Sequence, residues 1–103
     1  MGKLGDLVHL SVHANSLTGN VPSELAQCFR LKELNIEHNK LQGNIPAQLG
    51  QLSQLEKFRL QGNSIVDAMP PQVCALRDYE LSVLIADCAQ EGKITCDCCT
   101  QCE

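Results

Sequence analysis

The chain has 103 residues, a net charge of −4 and only three aromatic residues, two Phe and one Tyr. One small domain is expected at this length. Its basic residues do not cluster, which argues against nucleic acid or an anionic membrane surface as a partner. The sequence also lacks an apolar run near the ~18 residues that a membrane-spanning segment needs.

A pattern of apolar residues recurs every 24 residues from Leu4 to about Leu76. It contains two apolar columns separated by a polar residue, formed by Leu10, Leu34 and Phe58 and by Val12, Ile36 and Leu60. A fixed period of this length predicts a solenoid, in which each unit buries its apolar face by stacking on its neighbours. The alternation predicts one short strand per unit, and these strands stack in parallel.

An asparagine follows each predicted strand, at Asn15, Asn39 and Asn63. The backbone loses its sheet partners where a strand ends, and a buried Asn amide can satisfy the unpaired groups of adjacent coils. We therefore predict a structural Asn ladder rather than a catalytic or ligand role.

A turn follows the asparagine in each unit. Gly19 and Gly43 occupy equivalent positions, and Asp67 stands there in the third unit. Gly allows a positive φ, and the proline that follows in each unit fixes φ, so these positions predict the turn on the convex side.

The complete unit, LxxLxLxxNxLxGxIPxxLxxLxx over residues 31–54, resembles the plant-type subclass of the leucine-rich repeat family. The resemblance implies an α/β-type solenoid, a right-handed coil with a parallel β-sheet on the concave face and short 3₁₀ or α turns on the convex face. It also implies a secreted protein or a receptor ectodomain. We assign residues 1–76 to three repeats without an N-terminal cap.

The repeat degenerates after Leu76. An insertion of two residues restores the spacing, with the next core positions taken by Leu81, Leu84 and Ala86. Without the insertion, the polar Ser82 would occupy a core position. Residues 77–103 therefore form a degenerate terminal repeat and a cap, and the ending ITCDCCTQC resembles the cysteine-rich terminus of secreted leucine-rich repeat proteins from microalgae.

Six of the seven cysteines cluster at this end of the chain: Cys74, Cys88, Cys96, Cys98, Cys99 and Cys102. An even number where a solenoid must be closed predicts a disulfide cap, and 15 pairings are possible. Disulfides persist in oxidising compartments, so they predict an extracellular or cell-surface location. The seventh, Cys28, takes a core leucine position and is predicted to be a buried free thiol.

A zinc site is the alternative for the tail, because C-x-C-C-x2-C places four thiols within residues 96–102. Zinc sites usually combine two separated CxxC-like segments, which this tail does not provide. We therefore expect no metal and no cofactor.

The first ten residues, MGKLGDLVHL, lack the apolar core and cleavage site of a secretory signal. This absence conflicts with the export that the cysteines predict. Both observations are explained if the chain is the C-terminal part of a longer repeat protein or if the gene model lacks its 5′ exons.

No acid–base pair, activated nucleophile or phosphate-binding Gly loop suggests catalysis, so the chain is not expected to be an enzyme. Binding of a protein, peptide or glycan is instead predicted on the outward positions of the concave sheet. The candidate residues are His9, Ser11, His13, Glu33, Asn35, Glu37, His38, Lys57, Arg59 and Gln61. Val83 and Ile85 are the outward positions of the fourth strand. Some of the charges are expected to pair across strands, Glu33 with Lys57 and Glu37 with Arg59.

Overall fold

The computed structural model describes residues 7–12 and 16–103, which form a stack of coils with two parallel sheets. The larger, concave sheet has the order β1-β3-β5-β7-β8 and consists of β1 (His9–Ser11), β3 (Glu33–Asn35), β5 (Lys57–Arg59), β7 (Val83–Ala86) and β8 (Gln101–Cys102). The smaller sheet has the order β2-β4-β6 and consists of β2 (Thr18–Asn20), β4 (Lys40–Gly43) and β6 (Ser64–Ile65). The predicted solenoid is confirmed, and the second sheet is an addition to it.

The register of the concave sheet follows the sequence period. Glu33 pairs with Lys57 one strict period away, whereas the next partner of Lys57 is Val83, which lies two residues beyond that period. The structure thus contains the two-residue insertion that the apolar spacing predicts. An even shift leaves every side chain on the same face of the sheet, so the core column continues from Phe58 to Leu84 without interruption.

A proline introduces each short helical segment on the convex side. The segments are the 3₁₀ turns Ser23–Gln27 and Ala47–Gln51, and α1 (Pro71–Cys74), which continues into a 3₁₀ turn at Ala75–Asp78. The prolines before them are extended, and their carbonyl oxygens accept hydrogen bonds from the backbone N–H three residues later. Proline favours this place because its missing N–H costs nothing where the helical bonds begin.

The turn before each proline has the backbone conformation that the glycines predict. Gly19 and Gly43 have φ of 83° and 81°, and Asp67 has φ of 64° at the equivalent place. Asp is one of the few residues other than Gly that tolerates this left-handed region, so the third coil keeps the turn without glycine.

The core lies between the concave sheet and the convex segments. Its largest fully buried side chain is Phe58, and Leu34, Leu49, Val73 and Leu84 are also completely buried around it. Among the described residues, no helix has the length and apolar character required to cross a membrane.

Two disulfides, Cys74–Cys98 and Cys88–Cys102, fasten the C-terminal tail to the last coils, and a third, Cys96–Cys99, lies within the tail. Cys28 is buried and free. The disulfide-bonded terminus is therefore confirmed, and one of the possible pairings is selected. All four sulfurs of C-x-C-C-x2-C are bonded to other sulfurs, so this arrangement offers no thiolate to zinc. It therefore does not support the alternative of a zinc site in the tail.

The tail also covers the last edge of the concave sheet. β8 adds to the concave sheet through pairs of Ile85 with Gln101 and Ala86 with Cys102. Thr95 forms a bridge beside Ala68, accepting from the Met69 N–H and donating to the Asp67 carbonyl. The β7 edge of the concave sheet is therefore not left as a row of unpaired backbone groups.

Candidate recognition surface

The outward side chains of the concave sheet form two columns that run across the coils. Adjacent positions in the first column are His9, Glu33, Lys57 and Val83, and in the second Ser11, Asn35, Arg59 and Ile85. They alternate with inward residues because successive side chains of a strand point to opposite faces. The chemistry changes along the stack from polar to cationic to aliphatic.

Glu33 is the centre of a charged network on this surface. Its Oε2 lies 3.1 Å from His9 Nδ1, and its Oε1 lies 3.5 Å from Arg59 Nη1. The same Arg59 nitrogen donates to Asn35 Oδ1 at 2.9 Å. The hydrogen bond from His9, with the positive charge of Lys57 and the hydrogen bond from Arg59, lowers the pKa of Glu33 below its ordinary value of 4.5.

Lys57 is the exposed cation of the surface. The register places it beside Glu33, as predicted, but the groups within ion-pair distance of that carboxylate are His9 and Arg59. Within the part of the chain that the structure describes, Lys57 has no ion pair. Its ammonium group is therefore available to an anionic group of a ligand.

The aliphatic end of the surface lies beside the cations. Val83 pairs with Lys57 and Ile85 with Arg59, and both aliphatic side chains are half-buried. Apolar surface next to an available cation suits a ligand that carries an acidic group beside an aliphatic one.

The structure corrects the predicted surface at Glu37. This residue was expected to point outward, but it is only 9% exposed. Glu37 follows β3, where the chain bends away from the sheet and the alternation of a strand no longer applies. Its neighbour His38 is exposed, with φ of 59°, and its ring lies against Gly62 of the next coil, while Gln61 is half-buried. His13 lies outside the described residues.

Asn39 and Asn63 are buried and connect consecutive coils. The Asn39 amide donates to the carbonyls of Val12 and Ile36 at 2.9 and 3.0 Å, and its oxygen accepts from the Leu17 N–H at 3.3 Å. Each of these asparagines therefore bonds to its own coil and to the preceding one.

Asn63 repeats this pattern one coil later. It donates to the carbonyls of Ile36 and Leu60, both at 3.0 Å, and accepts from the Leu41 N–H at 3.1 Å. Asn15, the first predicted member, lies outside the described residues.

Asp87 continues this buried polar column and was not anticipated. Its carboxylate is 3% exposed and accepts from the backbone N–H of Gly62 at 3.0 Å and of Asn63 at 3.2 Å. Asp87 lies one strict period after Asn63, so the repeat spacing alone could have identified it as the next member of this column. The equivalence of Asp87 with Asn63 was missed because the spacing of the last coil is longer.

Comparisons with known proteins agree with this geometry. The family model described as Leucine Rich Repeat matches residues 6–28 and 30–52. No curated protein matches the chain.

Solved structures of plant receptors are similar to the chain. The plant peptide hormone receptor RGFR1 in complex with RGF2 is 33% identical over 77% of this chain, with a TM-score of 0.70. The complex PEPR1-AtPEP1 is 33% identical over 80%, also with a TM-score of 0.70, and the BIR2 ectodomain from Arabidopsis thaliana is 29% identical over 73%, with a TM-score of 0.65. The chain spans 13%, 12% and 40% of those three chains.

Proposed function

We propose, from the premise that the chain belongs to the leucine-rich repeat family, that it is a non-catalytic recognition module that binds a short extended peptide across its concave sheet. The observation that carries the proposal is the pair of outward columns in which an available cation adjoins aliphatic side chains. We further propose that residues 1–76 supply the repeats and residues 77–103 the cap, and that the module works in an extracellular location as part of a longer repeat protein.

The size of the surface favours a peptide over a folded protein. Five strands at a spacing of about 4.8 Å give a sheet about 19 Å across, and the three-residue strands β1, β3 and β5 give a height of about 10 Å. This area of about 200 Å² is well below the roughly 800 Å² that each partner buries in a standard protein–protein interface. An extended peptide at about 3.3 Å per residue spans the same width with about six residues.

The chemistry of the surface favours a peptide over a glycan. The outward positions of the described strands contain no aromatic side chain that could stack on a sugar ring, since Phe58 points inward and is fully buried. Lys57 and Val83 lie side by side, and Ile85 is the next outward residue after Val83. We infer a ligand segment with an acidic side chain at Lys57 and an aliphatic side chain against Val83 and Ile85.

The similar structures support a peptide ligand and an extracellular setting. One of them is a plant peptide hormone receptor in complex with RGF2. The three disulfides of the tail support an oxidising compartment.

A random peptide library displayed on phage tests the proposal. We expect the immobilised protein to enrich peptides with Asp or Glu next to Leu, Ile or Val. Lys57→Glu should weaken their binding by about tenfold or more, because the acidic side chain of the peptide would then face the carboxylate of the introduced Glu. A tenfold loss corresponds to about 1.4 kcal/mol.

Lys40→Glu is the matched control, because Lys40 is also exposed but begins β4 in the other sheet. This variant should bind the selected peptides as the unaltered protein does. Peptides that tolerate Lys57→Glu, or that lose affinity equally in both variants, would contradict binding on the concave sheet.

A further inference from the structure

We propose that the tail contains a thiol–disulfide exchange relay, in which an external dithiol opens the Cys96–Cys99 bond and the freed Cys96 sulfur then releases Cys74 from Cys98. The supporting observation is the contact between two disulfides. Cys96 Sγ lies 3.8 Å from Cys98 Sγ, although each sulfur is bonded to a different partner.

The exposure of the two bonded residues indicates which end of the Cys96–Cys99 bond an external thiolate attacks. Cys99 is half-buried, whereas Cys96 is 9% exposed. An external thiolate therefore has better access to the Cys99 sulfur, and attack there makes Cys96 the leaving thiolate. Exchange requires a thiolate that attacks one sulfur of a disulfide and expels the other.

Each step balances in atoms and electrons. The first dithiol sulfur bonds to Cys99 and expels Cys96 as a thiolate. Cys96 then attacks Cys98, which forms a Cys96–Cys98 bond and expels Cys74 as a thiolate. The second sulfur of the dithiol closes on the first, which releases Cys99 as a thiolate and leaves the dithiol oxidised.

The second step is intramolecular, which distinguishes the relay from two independent reductions. The attacking sulfur is held beside its target because only Asp97 separates Cys96 from Cys98 in the chain. Well-placed intramolecular reactions are far faster than their bimolecular equivalents, so Cys96 attacks Cys98 before a second external thiol arrives.

The relay changes how the tail is attached. The Cys74–Cys98 bond joins α1 on the convex side to the tail, whereas the Cys88–Cys102 bond holds β8 beside β7. Release of Cys74 therefore frees the middle of the tail and leaves its end anchored. The backbone bonds of Thr95 with Asp67 and Met69 are the contacts that depend on this middle part.

Partial reduction of the folded protein tests the relay directly. The protein is treated with one equivalent of dithiothreitol, quenched in acid, unfolded, labelled with a maleimide and mapped by mass spectrometry. We expect label on Cys74 and Cys99 together with a Cys96–Cys98 bond, several times more abundant than any other singly reduced form. Cys28 is free in every molecule and calibrates the labelling.

Two results would overturn the relay. One is a main product with label on Cys96 and Cys99 and an intact Cys74–Cys98 bond. The other is opening of Cys88–Cys102 before Cys74 is released.

A variant with Cys96→Ser and Cys99→Ser gives a second test. It keeps the other two disulfides, and dithiothreitol should release Cys74 at least about tenfold more slowly, because the internal nucleophile is absent. Equal rates in the variant and the unaltered protein would also overturn the relay. Hydrogen exchange at Met69 and Thr95 reports whether the variant keeps the folded tail before reduction.

Discussion

The repeated coils and the C-terminal tail protect the same kind of apolar surface by different means. A middle coil has a neighbour on each side, and its leucines are fully buried, as at Leu34, Leu52 and Leu55. The tail has a neighbour on one side only. Its buried apolar residues are Ile94 and Cys96, two disulfides attach it to the last coils, and a third cross-links it internally.

The comparison shows how cross-links substitute for packing. Full burial of a leucine or phenylalanine is worth about 1.5–3 kcal/mol, and a disulfide typically contributes about 2–4 kcal/mol. One disulfide thus replaces one or two core side chains. A terminal segment that cannot be packed from both sides can therefore still close the stack.

The largest expected effect is loss of packing within the coils. Phe58→Ala removes the largest fully buried side chain and should lower the free energy of unfolding by about 3–5 kcal/mol. Urea unfolding measures the change. Phe29→Ala is the matched control, because Phe29 is 53% exposed, and it should change stability by less than about 0.5 kcal/mol. Similar losses in the two variants would show that the coils do not depend on this core.

Removal of cross-links should have the next largest effect. Replacing Cys88 and Cys102 by Ser opens a bond between residues 14 apart and should cost about 3 kcal/mol in the loop-entropy estimate. Replacing Cys96 and Cys99, only 3 apart, should cost about 2 kcal/mol. Thermal midpoints of the two double variants should follow this order. An unchanged midpoint in the first variant would mean that the tail is held by packing after all.

Loss of the buried polar column should cost somewhat less. Asn39→Ala and Asp87→Ala each leave buried backbone groups without partners, and each should lower the free energy of unfolding by about 1–3 kcal/mol. Gln42→Ala, an exposed change in β4, should stay within about 0.5 kcal/mol. If Asp87→Ala behaves like the Gln42 control, the polar column does not extend into the last coil.

The smallest expected effect lies on the concave surface. Because the pKa of Glu33 is lowered, its stabilising contribution is complete above the ordinary value of 4.5 and is lost as the pH falls through the lowered value. The thermal midpoint of Glu33→Gln should therefore fall less steeply than that of the unaltered protein as the pH is lowered below 4.5. Glu91→Gln, in an exposed part of the tail, serves as the control. Equal slopes for all three proteins would argue against the His9–Glu33–Arg59 network.

The sequence predicts the coils because each feature of a coil recurs. The columns of Phe58 and Leu60 identify the inward faces, and the positions of Leu81 and Leu84 reveal the longer spacing of the last coil. The second sheet is harder to recognise. β2 is exposed at all three residues, so it has no apolar alternation that would mark a strand.

The tail shows where sequence reasoning reaches its limit. Its composition predicts disulfides, but the pairing depends on which sulfurs the fold brings together, and local spacing does not contain that information. Glu37 and Asp87 illustrate the same limit among polar residues. Both are buried beyond the end of a strand, where the direction of a side chain depends on the bend and not on the period of two.

The longer spacing of the last coil has a consequence for how such a chain can change over evolutionary time. An in-frame duplication of residues 31–54 would insert one more coil in the same register, with its own Asn39 equivalent and one additional strand for each sheet. The junction between β5 and β7 is not equivalent, because its spacing is two residues longer than that between β3 and β5. Whole units can therefore be gained or lost before the last coil without changing the spacing at which the last coil and the tail are attached.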